Sequence, residues 1–491
     1  MKQGRIEYLA RAQRSATQPD DDARTLQRLL TAPQLVVLGI GAIVGAGIFV
    51  STGLVAAQHA GPAIVYSFMI AGLGCLCAAL CYAEFAALVP VSGSAYTYVS
   101  AAFGQGYGWM IGWCLILEYL MAAANVAVGW SGYLGSLLGS LGLTIPAGWS
   151  SPAFVVSAAQ GMIRTGAVVN LPAVAILALL TLLLSRGVRL SVRASTVLVA
   201  VKLTVIALFV VFGAAYVARA NWRPFVPPNA GTFGAFGWSG VLQGAGMIFY
   251  AYLGFDTVAA AARETRNPQR AVPIGILGSL VGCTVIYIAF ALVLTGMAPY
   301  RALDAPDPVS IALSYAGPQL HFLKLAVEIG AVVGLTSVVL VLLYAQSRVI
   351  YAMAQDRLVP QAFCRVNPAT RSPSVAVVVC GVVAAIAAGL FSIDVLSELI
   401  SMGTLCAFVF VCAGVLYLRI ARPALVRPFR VPAAPLVCGL GVAICGYLML
   451  GLPAGTWWRF TAWLGVGAAI YLLYGRRHES SARPETAMTR E

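Results

Sequence analysis

Lys202 and Glu118 are ionisable residues set deep inside runs that are otherwise almost wholly apolar, and two nearby stretches are poorly suited to an unbroken helix. Residues 39–49 read Gly-Ile-Gly-Ala-Ile-Val-Gly-Ala-Gly-Ile-Phe, four glycines within nine positions. Each costs about 1 kcal/mol relative to alanine in a helix interior. Residues 248–256 read Ile-Phe-Tyr-Ala-Tyr-Leu-Gly-Phe-Asp, which joins aromatics, a glycine and a carboxylate. An interrupted helix frees amides at the start of one half and carbonyls at the end of the other. Free amides attract a carboxylate, and free carbonyls attract an ammonium. An α-amino acid carries both groups a fixed short distance apart. Two facing breaks can hold its backbone while its side chain points into a variable pocket. A buried amine such as Lys202 adds a group that can gain and lose a proton as its surroundings change.

The elements that must position these residues are membrane helices. The chain has 491 residues, 60% hydrophobic and 10% charged, whereas an ordinary soluble domain is about one quarter charged. Twelve apolar runs stand out, at 34–56, 62–89, 105–133, 167–186, 192–218, 237–262, 272–297, 321–350, 372–392, 396–418, 432–451 and 456–474. Their lengths fit spanning helices and not barrel strands. The expectation is an all-α membrane protein with twelve transmembrane helices. A first half at 34–218 and a second at 237–418 hold five runs each, which inverts the second relative to the first. Runs at 432–451 and 456–474 follow, between tails at 1–33 and 475–491. Such repeats belong to secondary transporters, with the site where the first helix of each half is interrupted.

The net charge of +14 is explained by position and points to no nucleic acid. With the N-terminus in the cytoplasm, 24 of the 31 Lys and Arg residues fall on that side. The positive-inside rule then places both tails in the cytoplasm, across an inner (plasma) membrane. The N-terminal segment has no apolar core of a signal peptide. No phosphate-binding loop or catalytic cluster is apparent, so neither an enzyme nor a nucleotide-driven pump is expected. The eleven cysteines read as small packing residues with no metal arrangement.

Depth links the candidates. Lys202 lies about 11 residues into its run, roughly 16 Å from the edge of a core about 30 Å thick. Glu118, residues 45–47 and residues 250–254 fall at a similar level. Each has a second reading. Gly41 and Gly45 also fit close helix packing, and Lys202 and Glu118 could pair with each other. Asp256 and Glu264, beside Arg263 and Arg266, fit either an inner gate or surface pairing. Glu84 is open in the same way, while Lys324 and Glu328, four apart, read as a local pair.

Four stretches together resemble the amino acid–polyamine–organocation transporter superfamily, most nearly its cationic amino acid transporters, including bacterial members. They are residues 39–50, residues 81–96 (Cys-Tyr-Ala-Glu-Phe-Ala-Ala-Leu-Val-Pro-Val-Ser-Gly-Ser-Ala-Tyr), Leu117-Glu118-Tyr119, and Gly254-Phe255-Asp256 with residues 264–270 (Glu-Thr-Arg-Asn-Pro-Gln-Arg). The resemblance covers about 24–474 and implies a LeuT-like five-plus-five inverted repeat with helices 1 and 6 broken and two extra C-terminal helices. It implies that the substrate carboxylate meets amides of Gly45, Ala46 and Gly47. The amine would meet carbonyls of Ile43, Tyr250, Ala251 and Leu253, with Glu118 nearby. Lys202 would take the place of a coupling ion, facing carbonyls near Gly41 and Val44, with Thr336 and Ser337 lining the same place. Tyr250 stands where relatives often have Phe, and with Asp256 it is a candidate gate. The implied activity is proton-coupled amino acid symport with the proton as the only coupling ion. Exchange of amino acids or polyamines, and a non-transporting sensor, are the alternatives.

Overall fold

The computed structural model describes residues 31–88, 95–157, 161–187, 192–255, 258, 265, 267–367, 370, 372–425 and 427–475. The candidates Asp256 and Glu264, with Arg263 and Arg266, lie outside these. So do residues 89–94 of the second stretch and all but residue 475 of the C-terminal tail.

The protein is built mainly of apolar helices. Helix α1, Ala32–Ile43, starts at a capping box in which Thr31 and Gln34 satisfy each other's end of the first turn. After a break the chain resumes at Gly47 and stays helical, with π turns at Gly47–Ser51 and Ala56–Ala60, before α2, Ile64–Leu88. Then come α3, Gln105–Ser140, a hairpin of β1 (Phe154–Ser157) and β2 (Gly161–Arg164), α4, Leu171–Ser185, and α5, Val192–Gly213. Helix α6, Gly237–Met247, is followed by a 3₁₀ turn at Phe249–Tyr252. The remaining long helices are α7, Pro268–Met297, α8, His321–Gln355, α9, Ser374–Leu390, α10, Ile393–Ala421, α11, Ala434–Leu450 and α12, Ala454–Ile470.

Six uninterrupted helical stretches among the described residues are long and apolar enough to cross a membrane alone, or seven if the bent pair Ala434–Leu450 and Ala454–Gly475 is one span. Helices α1, α4 and α9 are apolar but only 12 to 17 residues long. The chain is therefore a multi-pass membrane protein. One expected boundary shifts: helix α3 runs to Ser140, seven residues past its expected end. The connection after it folds partly into a four-residue-per-strand hairpin with Phe154 opposite Arg164.

Burial assigns the helices their places. The most apolar window of α3 is 94% buried, which makes it the central post, while that of α5 is only 28% buried. Lys202 nevertheless points inward from α5 and is 3% exposed. A peripheral helix thus delivers the charge at its middle to the interior.

The peripheral charges resolve as structural pairs. Glu84 on α2 accepts from Arg419 Nη2 at 2.6 Å, lies 3.3 Å from Arg427 Nε, and accepts the Val431 amide at 2.8 Å. It ties α2 to the end of α10 and the segment beyond. Lys324 and Glu328 form the local pair, at 3.8 Å, and Ser136 and Ser140 of α3 donate to Glu328.

Beside that pair lies Asp307, in the connection between α7 and α8. Burial pushes its carboxyl up to about 6, with a smaller push from Glu328. Its folded value lies above its unfolded one, so stability falls as pH rises from about 4 to 6 and stays lower above. Asp307→Asn is expected to raise stability by about 1–2 kcal/mol at pH 7.5 and to change little at pH 4. Thermal unfolding of the two proteins at both pH values measures this. An equal shift at both would refute it.

Candidate functional site

The break in the first helix follows from its glycines. Val44 ends α1 in an extended conformation, φ −69° and ψ 106°, while its amide still bonds the Ile40 carbonyl at 2.9 Å. The chain then re-enters helix through Gly45, Ala46 and Gly47. The first amides of that second half have no acceptor within their own helix. Thr52 Oγ1 bonds the Gly47 carbonyl at 3.1 Å and fixes the first turn.

The second break mirrors it. Helix α6 stops at Met247, and a tight turn follows in which the Leu253 amide bonds the Tyr250 carbonyl at 2.9 Å. Gly254 then takes φ +116°, a conformation strained for any side chain. The two breaks touch directly. A Cβ on Gly47 would sit 2.3 Å from the Ala251 Cβ and 2.6 Å from its Cα. One on Gly254 would sit 2.7 Å from the Ala42 carbonyl group. Both glycines are thus required by backbone contact. Gly45 is different, because a Cβ there would meet nothing nearer than the Val338 side chain, at 3.5 Å.

Lys202 closes the end of α1. Its Nζ donates to the carbonyls of Gly41 and Val44, each at 2.9 Å. This satisfies two oxygens that the break releases and leaves α1 and α5 joined by one ammonium. Both hydrogen bonds of Lys202 go to backbone, so no pairing with Glu118 is needed to hold it. Glu118 is buried on α3, with Gly403 of α10 packed near its Cβ.

The α8 hydroxyls donate within their own helix. Thr336 Oγ1 donates to the Val332 carbonyl at 2.7 Å and accepts from Trp130 Nε1 at 2.9 Å. Ser337 donates to the Gly334 carbonyl at 2.6 Å. The surface of α8 that meets the lysine is Gly334, where a Cβ would be 2.7 Å from Lys202 Cγ.

Four residues join the site that the sequence did not single out: Tyr287, Ser51, Asn125 and Ser397. Tyr287 of α7 donates its hydroxyl towards two carbonyls, Ala251 at 2.7 Å and Ile43 at 3.1 Å. It bridges the breaks, and it engages two of the four carbonyls expected to hold an amine. A carbonyl has two lone pairs, so each retains one. Tyr250 bonds Ser51 of the second half-helix and accepts from Asn125 Nδ2 of α3 at 3.0 Å. Asn125 also donates to Ser397 of α10 at 2.8 Å. The extra hydroxyl of Tyr250 thereby connects the second break to three other helical segments. A tyrosine and an asparagine inside apolar runs were the available signals, since buried polar groups must find partners.

Residues 30–470 match the family described as Amino acid permease. Among curated proteins, the chain is 44% identical to a methylthioribose transporter of Bacillus subtilis over 456 residues, covering 93% of this chain and 95% of that one. It is 42% identical to a branched-chain amino acid permease of the same organism, covering 93% and 94%. A vacuolar cationic amino acid transporter of Arabidopsis thaliana is 34% identical over 82% of this chain and 65% of its own length.

Proposed function

The chain belongs to the amino acid permease family, within the amino acid–polyamine–organocation superfamily, and on that premise we propose that it is a proton-coupled amino acid symporter working by alternating access. Its relatives are transporters, and it is not an enzyme. The observation that carries the coupling is the Lys202 ammonium on the Gly41 and Val44 carbonyls. Protonated, the lysine holds α1 against α5. Neutral, it has two donors and a weaker attraction for both oxygens, and α1 is freer to move.

In this reading the amides of Gly45, Ala46 and Gly47 receive the substrate carboxylate. The amine meets the remaining lone pairs of the Ile43, Tyr250, Ala251 and Leu253 carbonyls, with Glu118 at the side-chain end. Tyr250 and Asp256 act in gating. The twelve apolar runs are twelve spans arranged as two inverted sets of five plus two, in the plasma membrane, with both tails cytoplasmic. The test is uptake into proteoliposomes under an imposed inward proton gradient. Accumulation should rise several-fold over the gradient-free level and collapse with a protonophore. Uptake indifferent to the gradient would favour exchange and remove symport.

A second reading follows from the 44% identical relative. Methylthioribose has neither carboxylate nor ammonium, and would use the polar group of Ser51, Asn125, Tyr250 and Ser397 instead. Competition by methylthioribose and by each of the twenty amino acids against one labelled substrate separates the two.

A further inference from the structure

Arg348 lies far from the breaks and has no role in the function described above. It sits on α8 with its guanidinium 4.8 Å from the ring centre of Tyr344, one turn earlier. Its Nε is buried and has no hydrogen-bond partner. No carboxylate pairs with it among the described residues, whose ion pairs are Lys324–Glu328, Arg419–Glu84, Arg427–Glu84 and Arg459–Glu398. A partly buried cation with no carboxylate beside it favours an anion as its partner.

The surroundings give that anion a place. A narrow cleft with room for about one water-sized group opens at the surface beside Arg348 between the ends of α4 and α9, lined by Leu184, Gly187, Tyr344, Ser347 and Ser372. Next to it, Thr370 carries a second buried, unpartnered oxygen, Oγ1, and its carbonyl is packed against Gly187. Two orphaned donors therefore stand close to one opening.

Depth identifies the anion. Val338 of α8 is the residue packed against Gly45. With that break at mid-membrane, Arg348, ten residues further on, lies about 15 Å away along the helix, at the edge of a core about 30 Å thick. That is the level of lipid phosphates. Tyr344, 41% exposed, lies at the level where aromatic residues anchor a helix beneath the headgroups. We propose that Arg348, with Tyr344 beneath it and Thr370 beside it, binds the phosphate of an anionic membrane lipid in the cleft between α4, α8 and α9. A guanidinium offers a phosphate two parallel hydrogen bonds, and basic pockets between helices at this level hold lipid headgroups.

The test uses the full chain in detergent, titrated with phosphatidylglycerol, with phosphatidylcholine and with inorganic phosphate. Bound lipid is counted by native mass spectrometry, and protection is read as a thermal shift. Phosphatidylglycerol should be retained and protective, and phosphatidylcholine much less so. Arg348→Gln should weaken the anionic lipid about tenfold, the loss of one charge-assisted contact. Arg348→Lys, which keeps the charge and lacks the fork, should lie between. Arg301→Gln should change nothing, although Arg301 also lies over a tyrosine, at 5.9 Å, in the connection after α7. Wild-type lipid binding in both Arg348 variants would overturn the proposal, as would equal retention of the two lipids. Equal protection by inorganic phosphate would assign the cleft to a free anion and overturn the lipid.

Discussion

Lys202→Ala should abolish proton-driven accumulation while leaving exchange of substrate across the membrane measurable. The substitution removes the ammonium on the end of α1 and leaves the Gly41 and Val44 carbonyls without their partner. Each buried oxygen so orphaned costs about 1–3 kcal/mol. The variant should therefore unfold at a lower temperature as well as lose coupling. Lys202→Arg separates these effects, because a guanidinium keeps donors at the carbonyls and does not deprotonate in proteins. It should retain more stability than the alanine variant and still lose the dependence on the proton gradient. Gradient-driven uptake and counterflow are measured in the same proteoliposomes. Intact gradient dependence in both variants would rule out the lysine as the coupling group.

Gly254→Ala is the second large effect. The new methyl would have to share space with the Ala42 carbonyl at 2.7 Å, on a residue whose φ is +116°. Strain of this kind costs about 1–3 kcal/mol, and overpacking against backbone adds about as much. The expected result is a loss of about 2–5 kcal/mol of stability and at least a tenfold fall in uptake. Gly47→Ala should behave alike, since its methyl would meet the Ala251 Cα at 2.6 Å. Gly45→Ala is the counterpart, with Val338 at 3.5 Å as the nearest obstacle. It should stay within about 1 kcal/mol of the parent. Thermal unfolding of the three variants decides the point, and equal stability in all of them would mean that the breaks do not touch.

The contrast among these glycines shows where sequence reading reaches its limit. Four glycines in nine residues announce a break, but close helix packing would use the same residues. Only the structure shows that packing and interruption coincide, since Gly47 packs against the other break. That Lys202 would be drawn inside was legible, because a charge in the middle of an apolar run must find a buried partner. Its two carbonyl partners came from family resemblance. For Thr336 and Ser337 the facing helix was legible, since Gly334 of α8 packs on Lys202, but the Val332 and Gly334 carbonyls that their hydroxyls bond were not. Tyr287 and Asn125 escaped notice because one polar residue in an apolar run looks like ordinary variation until its partners, 36 to 272 residues away, are known. Short helices such as α1 and the π turns after Gly47 are also invisible to hydropathy, which registers length and not winding.

The contact between Gly47 and Ala251 leaves no slack. A slide or tilt of one discontinuity pushes on the other's main chain before any side chain can yield. The two weak points of the scaffold then bear on each other backbone to backbone. In the proposed transporter, a substrate held by one break would press on the other through this contact, with no relay of side chains between them.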